Sequence, residues 1–381
     1  MHRIVVLGAG YTGMIAAVRV ARRSRRGGLG AAVTLVNPGE RFVERLRMHQ
    51  TATGQGLAVV RIPELLRGTG IEFVQGWAER IDPVRREVGV GGRVIGYDTL
   101  IFAIGSVADT EAVPGAGVHA YTLNSVGSAG RLAEVLAAKG GATVAVVGGG
   151  LTGVEAAAEI AERHPAARVV LLSRDVPGPS MVPGARAHLE KALWRLGVEV
   201  RTGVEVTKVL PDGVELAGGE VVSADATLWT TGTTGSAIAA EAGLEVDGRG
   251  RIVVDQALRS VSHPDVVAIG DAAAIRQPWG MVHGTCQSGI PSGAYAADSI
   301  ARVLAGKAAK PFRFGYIHQP VSLGRKDAVI QFTRADDSPR RWFLKGRAAV
   351  VYKELVTRSP LPAYRLSKRL TVPAAALSSR G

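Results

Sequence analysis

One pattern occurs twice in this chain, and it leaves few folds open. The first copy is the β-branched run Ile4-Val5-Val6-Leu7, the turn Gly8-Ala9-Gly10-Tyr11-Thr12-Gly13 and an Ala-rich helical stretch. The second is Val144-Ala145-Val146-Val147, then Gly148-Gly149-Gly150-Leu151-Thr152-Gly153, then another such stretch. Each is followed by a further apolar run, Ala32 to Val36 and Arg168 to Leu172. Continuous apolar runs suit parallel strands covered on both faces. Strand, glycine turn, helix and strand together make a right-handed βαβ unit. In G-x-G-x-x-G the first glycine permits the tight turn. The second lets the backbone approach a pyrophosphate, and the third lets helix and strand pack closely. The free N–H groups and positive end of the helix then hold the phosphates. With strand, helix and following strand all in place, each copy is expected to bind a dinucleotide. The contacts would come from Gly8, Gly10, Tyr11, Thr12 and Gly13 in one and Gly148, Gly150, Leu151, Thr152 and Gly153 in the other.

Composition agrees with this. Glycine makes up 49 of 381 residues, well above the usual ~7%, and it clusters at the ends of Val/Ile/Leu runs. Hydrophobic residues at 46% exclude a mainly disordered chain. The single cysteine, Cys286, excludes a disulfide scaffold and CxxC chemistry. No apolar run approaches the ~20 residues of a membrane span, and the first residues do not read as a signal peptide. A cytoplasmic protein is the default expectation.

An acidic residue after the second strand normally reads the adenosine ribose. The first unit has Asn37 there, whose amide can still hydrogen-bond hydroxyls. The second has Ser173-Arg174-Asp175. Ser173 and Arg174 would bind a 2′-phosphate that a carboxylate would repel, which favours NADPH over NADH. The alternatives are that Asp175 takes the carboxylate's role or that Arg174 points to solvent.

Four segments carry a family resemblance: Gly8–Gly13; Tyr97-Asp98-Thr99-Leu100-Ile101-Phe102-Ala103-Ile104-Gly105-Ser106; Gly148–Glu155; and Val267-Ala268-Ile269-Gly270-Asp271-Ala272-Ala273. In this order the chain resembles the two-dinucleotide-binding-domain flavoproteins of the pyridine-nucleotide oxidoreductase superfamily. Within them it is most similar to the type II NADH dehydrogenase (NADH:quinone oxidoreductase) branch. The resemblance implies an α/β fold with two Rossmann-like domains, for FAD and NAD(P)H, plus a C-terminal α+β segment. The FAD domain would span 1–113 and 248–312, the NAD(P)H domain 114–247 and the C-terminal segment 313–381. Asp271 and Gly270 would bind the ribitol of FAD, and Gly105 and Ala103 would lie near its pyrophosphate. Arg47, Ala78 and Cys286 would line the flavin site, and Thr231-Gly232 the NAD(P)H site. Glu155 and Gln287 are the expected catalytic residues, Glu155 in the pocket shared by nicotinamide and flavin. No metal is implied. Hydride would pass from nicotinamide to flavin, and electrons then to a second substrate.

The chain departs from the branch at two places, one being that the family's long amphipathic C-terminal membrane helices are not evident in it. The stretch Cys286-Gln287-Ser288-Gly289-Ile290-Pro291-Ser292-Gly293 puts Pro291 and Ser292 where quinone reductases carry a glutamine pair. A short helix is expected over Arg347–Arg358, ended by Pro360 and Pro362. The net charge of +13 sits wholly after residue 300. Arg340, Arg341, Lys345, Arg347 and Lys353 there interleave with Trp342 and Phe343. Such a tail suits weak contact with an anionic membrane or an acidic redox protein; nucleic acid is not expected. A quinone is the first acceptor to consider, and a homodimer is compatible. A ferredoxin-type reductase, a flavin-dependent biosynthetic enzyme and a non-catalytic flavoprotein on an anionic surface stay open.

Overall fold

The structure, a computed structural model, describes residues 1–370. The elements that position the site begin with β1 (His2–Leu7), α1 (Tyr11–Gly27), β2 (Ala31–Asn37), β3 (Glu72–Gln75) and β4 (Thr99–Phe102). There follow β5 (Ala120–Thr122), β6 (Thr143–Val147), α2 (Leu151–Arg163), β7 (Arg168–Ser173), β8 (Glu199–Thr202) and β9 (Ala226–Trp229). Then come β10 (Val266–Ala268) and α3 (Cys286–Leu304). The chain continues with β11 (His318–Ser322), β12 (Ala328–Thr333), β13 (Pro339–Lys345), α4 (Gly346–Arg358) and α5 (Pro360–Ser367).

Two five-stranded sheets form, in the orders β10-β4-β1-β2-β3 and β8-β7-β6-β9-β5. Every pairing in both is parallel. The apolar runs read from the sequence are their central strands, and Ile4 to Leu7 and Val144 to Val147 are all buried. A strand buried on both faces cannot alternate polar and apolar residues, hence the unbroken runs. β1 and β6 hold the same place in their sheets. Each has on one side the strand that follows its helix and on the other a strand from much later in the chain. Strand order reverses there, and ligands of open α/β sheets bind outside the carboxyl ends of the strands at that point. Both glycine turns follow these two strands.

Small residues let α1 and α3 approach closely. A Cβ on Gly293 would lie 2.5 Å from the Thr12 carbonyl oxygen, and one on Gly289 would lie 2.5 Å from Thr12 Oγ1. Ser292, at the atypical position, hydrogen-bonds through its hydroxyl to the Gly270 N–H at 3.0 Å and the Gly289 carbonyl at 2.7 Å. It thereby ties α3 to the turn before Asp271. Pro291 lies inside α3, which continues through it.

After residue 312 the chain bridges the two halves. Phe312, Phe314, Tyr316 and Tyr364 join the core around the first sheet, while Val321, Leu323 and Val329 join the core around the second. β11, β12 and β13 form an antiparallel meander. The helix expected over 347–358 is α4, but Pro360 does not simply end it. Pro360 occupies the first turn of α5, where proline's missing N–H costs nothing. α5 returns to α1: Tyr364 is fully buried, and its hydroxyl donates to the Tyr11 carbonyl at 3.0 Å. The rest of the expected C-terminal segment, 371–381, lies outside the described residues.

Candidate active site

The two glycine turns have the same geometry. Gly8 and Gly148 have φ of +97° and +115°, a region open mainly to glycine. A Cβ on Gly13 would lie 1.8 Å from the Gly8 carbonyl oxygen, and one on Gly153 would lie 1.9 Å from that of Gly148. No side chain of any size fits the third position. The middle glycines differ: around Gly10 and Gly150 a Cβ would meet nothing within 4 Å. These two residues cap α1 and α2 without any side-chain hydrogen bond. Both middle glycines therefore leave open space at a positive helix end, which fits a pyrophosphate.

Around the first turn the structure gathers most of the residues expected to hold FAD. Ala103 packs against Gly8 and Gly13, and Gly105 follows in a left-handed conformation, φ +83°. Asp271 accepts a hydrogen bond from the Ser106 hydroxyl at 3.2 Å, and a Cβ on Gly284 would collide with its carboxyl. Burial pushes the Asp271 carboxyl up, and the Arg45 guanidinium pulls it back. Arg45 donates to the Ser106 carbonyl at 3.1 Å and to Asn124 Oδ1 at 3.0 Å. Arg45 was not singled out from the sequence. Arg47 was, but its guanidinium is taken up elsewhere, by Glu354 at 3.1 Å, Gln50 at 3.3 Å and Glu44 at 3.5 Å. Asn37 Oδ1 accepts the Ala9 N–H at 2.9 Å, and its amide donates to the Gly39 carbonyl at 2.7 Å. Its side chain thus braces the turn from beneath. Tyr11 is buried edge-on against Phe42. Ala78 opens a separate small antiparallel strand, Ala78–Asp82. Cys286 begins α3; burial, then the Asp271 carboxylate, pushes its thiol up to about 12. Its surroundings thus favour the neutral thiol over the reactive thiolate.

The second turn opens into a cavity of about 610 Å³, of ordinary size for a ligand site. Gly148, Gly150, Ser173, Arg174, Thr231 and Gly232 all line it, as does Asp175. Leu151, Thr152 and Gly153 form the first turn of α2 behind it. The Ser173 hydroxyl occupies the space a Cβ on Gly149 would need. Arg174, largely exposed, donates to Glu205 Oε1 at 2.5 Å.

Glu155 and Gln287 share a structural task that the sequence did not reveal. The Gln287 amide donates to the His318 carbonyl at 2.8 Å and accepts the Ile317 N–H at 2.6 Å. Glu155 Oε1 accepts the Ser322 N–H at 2.9 Å and pairs with Lys353 Nζ at 2.6 Å. One strand, β11, is thus pinned at its first residue by α3 and at its last by α2. Lys353 itself, expected on the basic surface, is 7% exposed. Burial pushes the Glu155 carboxyl up, but Lys353 and His49 outweigh this and hold it below the usual range. Burial lowers the His49 imidazole to about 4.

Two dinucleotide sites on tandem parallel sheets define a class, the NAD(P)H-dependent flavoproteins. The pyridine nucleotide-disulphide oxidoreductase family matches residues 2–298, and this chain belongs to it. The chain is an FAD-dependent NAD(P)H oxidoreductase. It is 33% identical over 353 residues to an NADH dehydrogenase-like protein of Mycobacterium tuberculosis, covering 86% of this chain and 87% of the relative. It is 26% identical to a type II NADH:quinone oxidoreductase of Staphylococcus epidermidis, covering 90% and 93%. Its fold matches NDH2 of Plasmodium falciparum in complex with NADH at a TM-score of 0.80, with 15% identity, covering 97% and 99%.

Proposed function

We propose that the enzyme reduces a small quinone-type acceptor with NAD(P)H, with FAD held over the first sheet and NAD(P)H over the second. In this reading residues 1–113 and 248–312 form the FAD half and 114–247 the NAD(P)H half. When bound, FAD would supply the hydride- and electron-transfer chemistry between nicotinamide and acceptor, held by the glycine turn Gly8–Gly13 and Asp271.

The observation that carries the reading is the pinning of β11 by Gln287 and Glu155. It fixes residues 317–322 against the starts of α3 and α2, the two helix ends nearest the expected meeting place of the cofactors. The acceptor would enter beside this strand. Gln287, with its amide oxygen and one amide N–H engaged by residues 317–318, acts as a positioning residue. Glu155 is ionised at neutral pH and orients β11 and Lys353. Asp271 would accept hydrogen bonds from the flavin side chain. The positive end of α3 favours negative charge at the flavin, and the capping box between Thr285 and Ser288 holds that end rigid. The relatives' quinone reductase names support the choice of acceptor.

A second observation favours loose membrane contact. Val351 and Leu355 on α4 and Leu366 and Leu370 around α5 are exposed, beside Arg347, Arg358 and Arg369. Among the described residues no helix is long and apolar enough to cross a membrane. Contact would be peripheral and weakened by salt.

The test is anaerobic reduction of the flavin by NADPH, followed by steady-state turnover with a short-chain quinone. Both steps are expected. Flavin reduction without quinone turnover would remove the quinone from the reading and favour a ferredoxin-type partner or a biosynthetic substrate. NADPH is expected to be preferred. The Arg174–Glu205 pair is exposed, so it holds Arg174 weakly and leaves it able to reach a 2′-phosphate. Arg174→Ala should weaken NADPH binding on the order of tenfold or more while sparing NADH. Equal losses for both cofactors would refute the preference.

A further inference from the structure

A second ligand site lies at the other end of α1. The last turns of α1 and α3 and the loop after α3 line an open surface cavity of about 820 Å³. From Gly10 to Arg26 along α1 is about 24 Å, so the cavity is separate from the redox centre. Seven cations line it, among them Arg23 and Arg26 on α1, Arg302 on α3 and Lys307, Lys310 and Arg313 on the loop. The seventh, Arg22, is buried beneath them. Asp298 is the one carboxylate in the lining, and it is already bound to Arg19 at 2.6 Å and Arg23 at 3.0 Å.

Among the described residues Arg26, Arg302, Lys307, Lys310 and Arg313 form no salt bridge. Arg26 donates to the Arg369 carbonyl at 3.3 Å and Arg302 to that of Ala308 at 3.2 Å. Burial, and then Arg26, Arg23 and Arg19, lowers the Arg22 guanidinium, as crowding of like charges should. Helix dipoles explain only part of this. Each helix end carries about half a negative charge, which suits cations in the last turn, such as Arg26 and Arg302. Lys307, Lys310 and Arg313 lie beyond both helices and add three more. The lining also includes Leu29, Pro311 and the partly exposed Tyr295 ring, which packs on the buried Phe312 ring with centroids 5.1 Å apart. Multiple cations around one hollow match an anion bearing several charges. The Tyr295 ring beside them matches a flat apolar group.

We propose that this cavity binds a nucleoside polyphosphate, phosphates on the Arg/Lys cluster and base toward Tyr295. Binding would relieve the repulsion among the cations and stabilise the junction of α1 and α3. The probes are inorganic tripolyphosphate, ATP and adenosine, titrated calorimetrically into FAD-loaded enzyme saturated with NADP⁺, so that both dinucleotide sites are filled. ATP and tripolyphosphate should each bind once, ATP more tightly, and adenosine not measurably. Affinity should fall at least about tenfold between roughly 50 and 200 mM salt. Lys307→Ser/Lys310→Ser/Arg313→Ser, all exposed positions, should weaken both ligands at least tenfold with flavin content and NAD(P)H turnover unchanged. No binding by the unaltered protein, or unchanged binding by the triple variant, would overturn the proposal. Tripolyphosphate binding as tightly as ATP would remove the nucleoside. Binding only to phosphatidylglycerol vesicles, lost in the triple variant, would assign the cations to lipid headgroups instead.

Discussion

Gly153→Val is expected to give a yellow, FAD-loaded protein that NAD(P)H cannot reduce. A Cβ at this position would already lie 1.9 Å from the Gly148 carbonyl oxygen and 2.7 Å from Thr230 Oγ1. The carbonyl is backbone and belongs to the turn itself, so the valine can be housed only by pushing the turn away from α2. That displaces the N–H groups expected to hold the pyrophosphate. Each hydrogen bond to a charged group is worth about 1.5–3 kcal/mol, so loss of two weakens NAD(P)H by roughly a hundredfold or more. The first sheet, with its own turn and core, is untouched. Gly13→Val should do the converse and yield protein without flavin, because its Cβ would lie 1.8 Å from the Gly8 carbonyl. Flavin content of the purified variants and anaerobic reduction by NADPH give both readings. Normal reduction of Gly153→Val, or loss of FAD from it, would break the assignment of one turn to each cofactor.

These turns were legible in the sequence because their chemistry is local. A positive φ at Gly8 and a backbone contact at Gly13 leave no other residue type, and six positions carry the whole message. The unbroken apolar strands were legible for a similar reason, since burial on both faces is written along four or five consecutive residues. Other features depend on partners far away in the chain. Asn37 was read as a group free to meet a ribose, yet it braces the Ala9 N–H. Arg45 and Arg47 are both arginines in one short turn, and only tertiary packing sends the first toward Asp271 and the second toward Glu354. Pro360 reads locally as a helix stop; that it also starts α5 follows from the docking of Tyr364 against α1. Gln287 and Glu155 were found through their motifs, but their hold on β11 spans 31 and 167 residues of sequence. Nothing near either residue announces it.

Lys353→Met is expected to destabilise the FAD-loaded protein strongly at neutral pH and less strongly in acid. Lys353 Nζ lies 2.6 Å from Glu155 Oε1 and donates to the Pro320 carbonyl at 3.0 Å. Methionine fills similar space but leaves the carboxylate buried, with the Ser322 N–H as its remaining hydrogen bond. Breaking a buried ion pair in this way costs about 3–5 kcal/mol. The pH dependence follows from the direction of the Glu155 shift. In the intact protein burial raises its pKa, but Lys353 above all outweighs this and the net value is depressed. A depressed carboxylate contributes stability that is present above its unfolded pKa and is lost as pH falls through the folded value. Without Lys353, burial dominates and the folded pKa rises above the unfolded one. The charged carboxylate then opposes folding at neutral pH, and protonation relieves it as pH falls. The gap in denaturant midpoint between the two proteins should therefore be widest near pH 7 and narrow toward about pH 5. His49, held at about 4, stays largely neutral over that window in the intact protein. Adding Glu155→Gln to Lys353→Met should restore most of the lost stability, because the amide can accept the Ser322 N–H without carrying charge. Restored stability without restored quinone turnover would mean that the ionised pair serves the reaction as well as the fold. A gap that does not change with pH, or a double variant no more stable than Lys353→Met alone, would show that the carboxylate is not what the lysine holds in place.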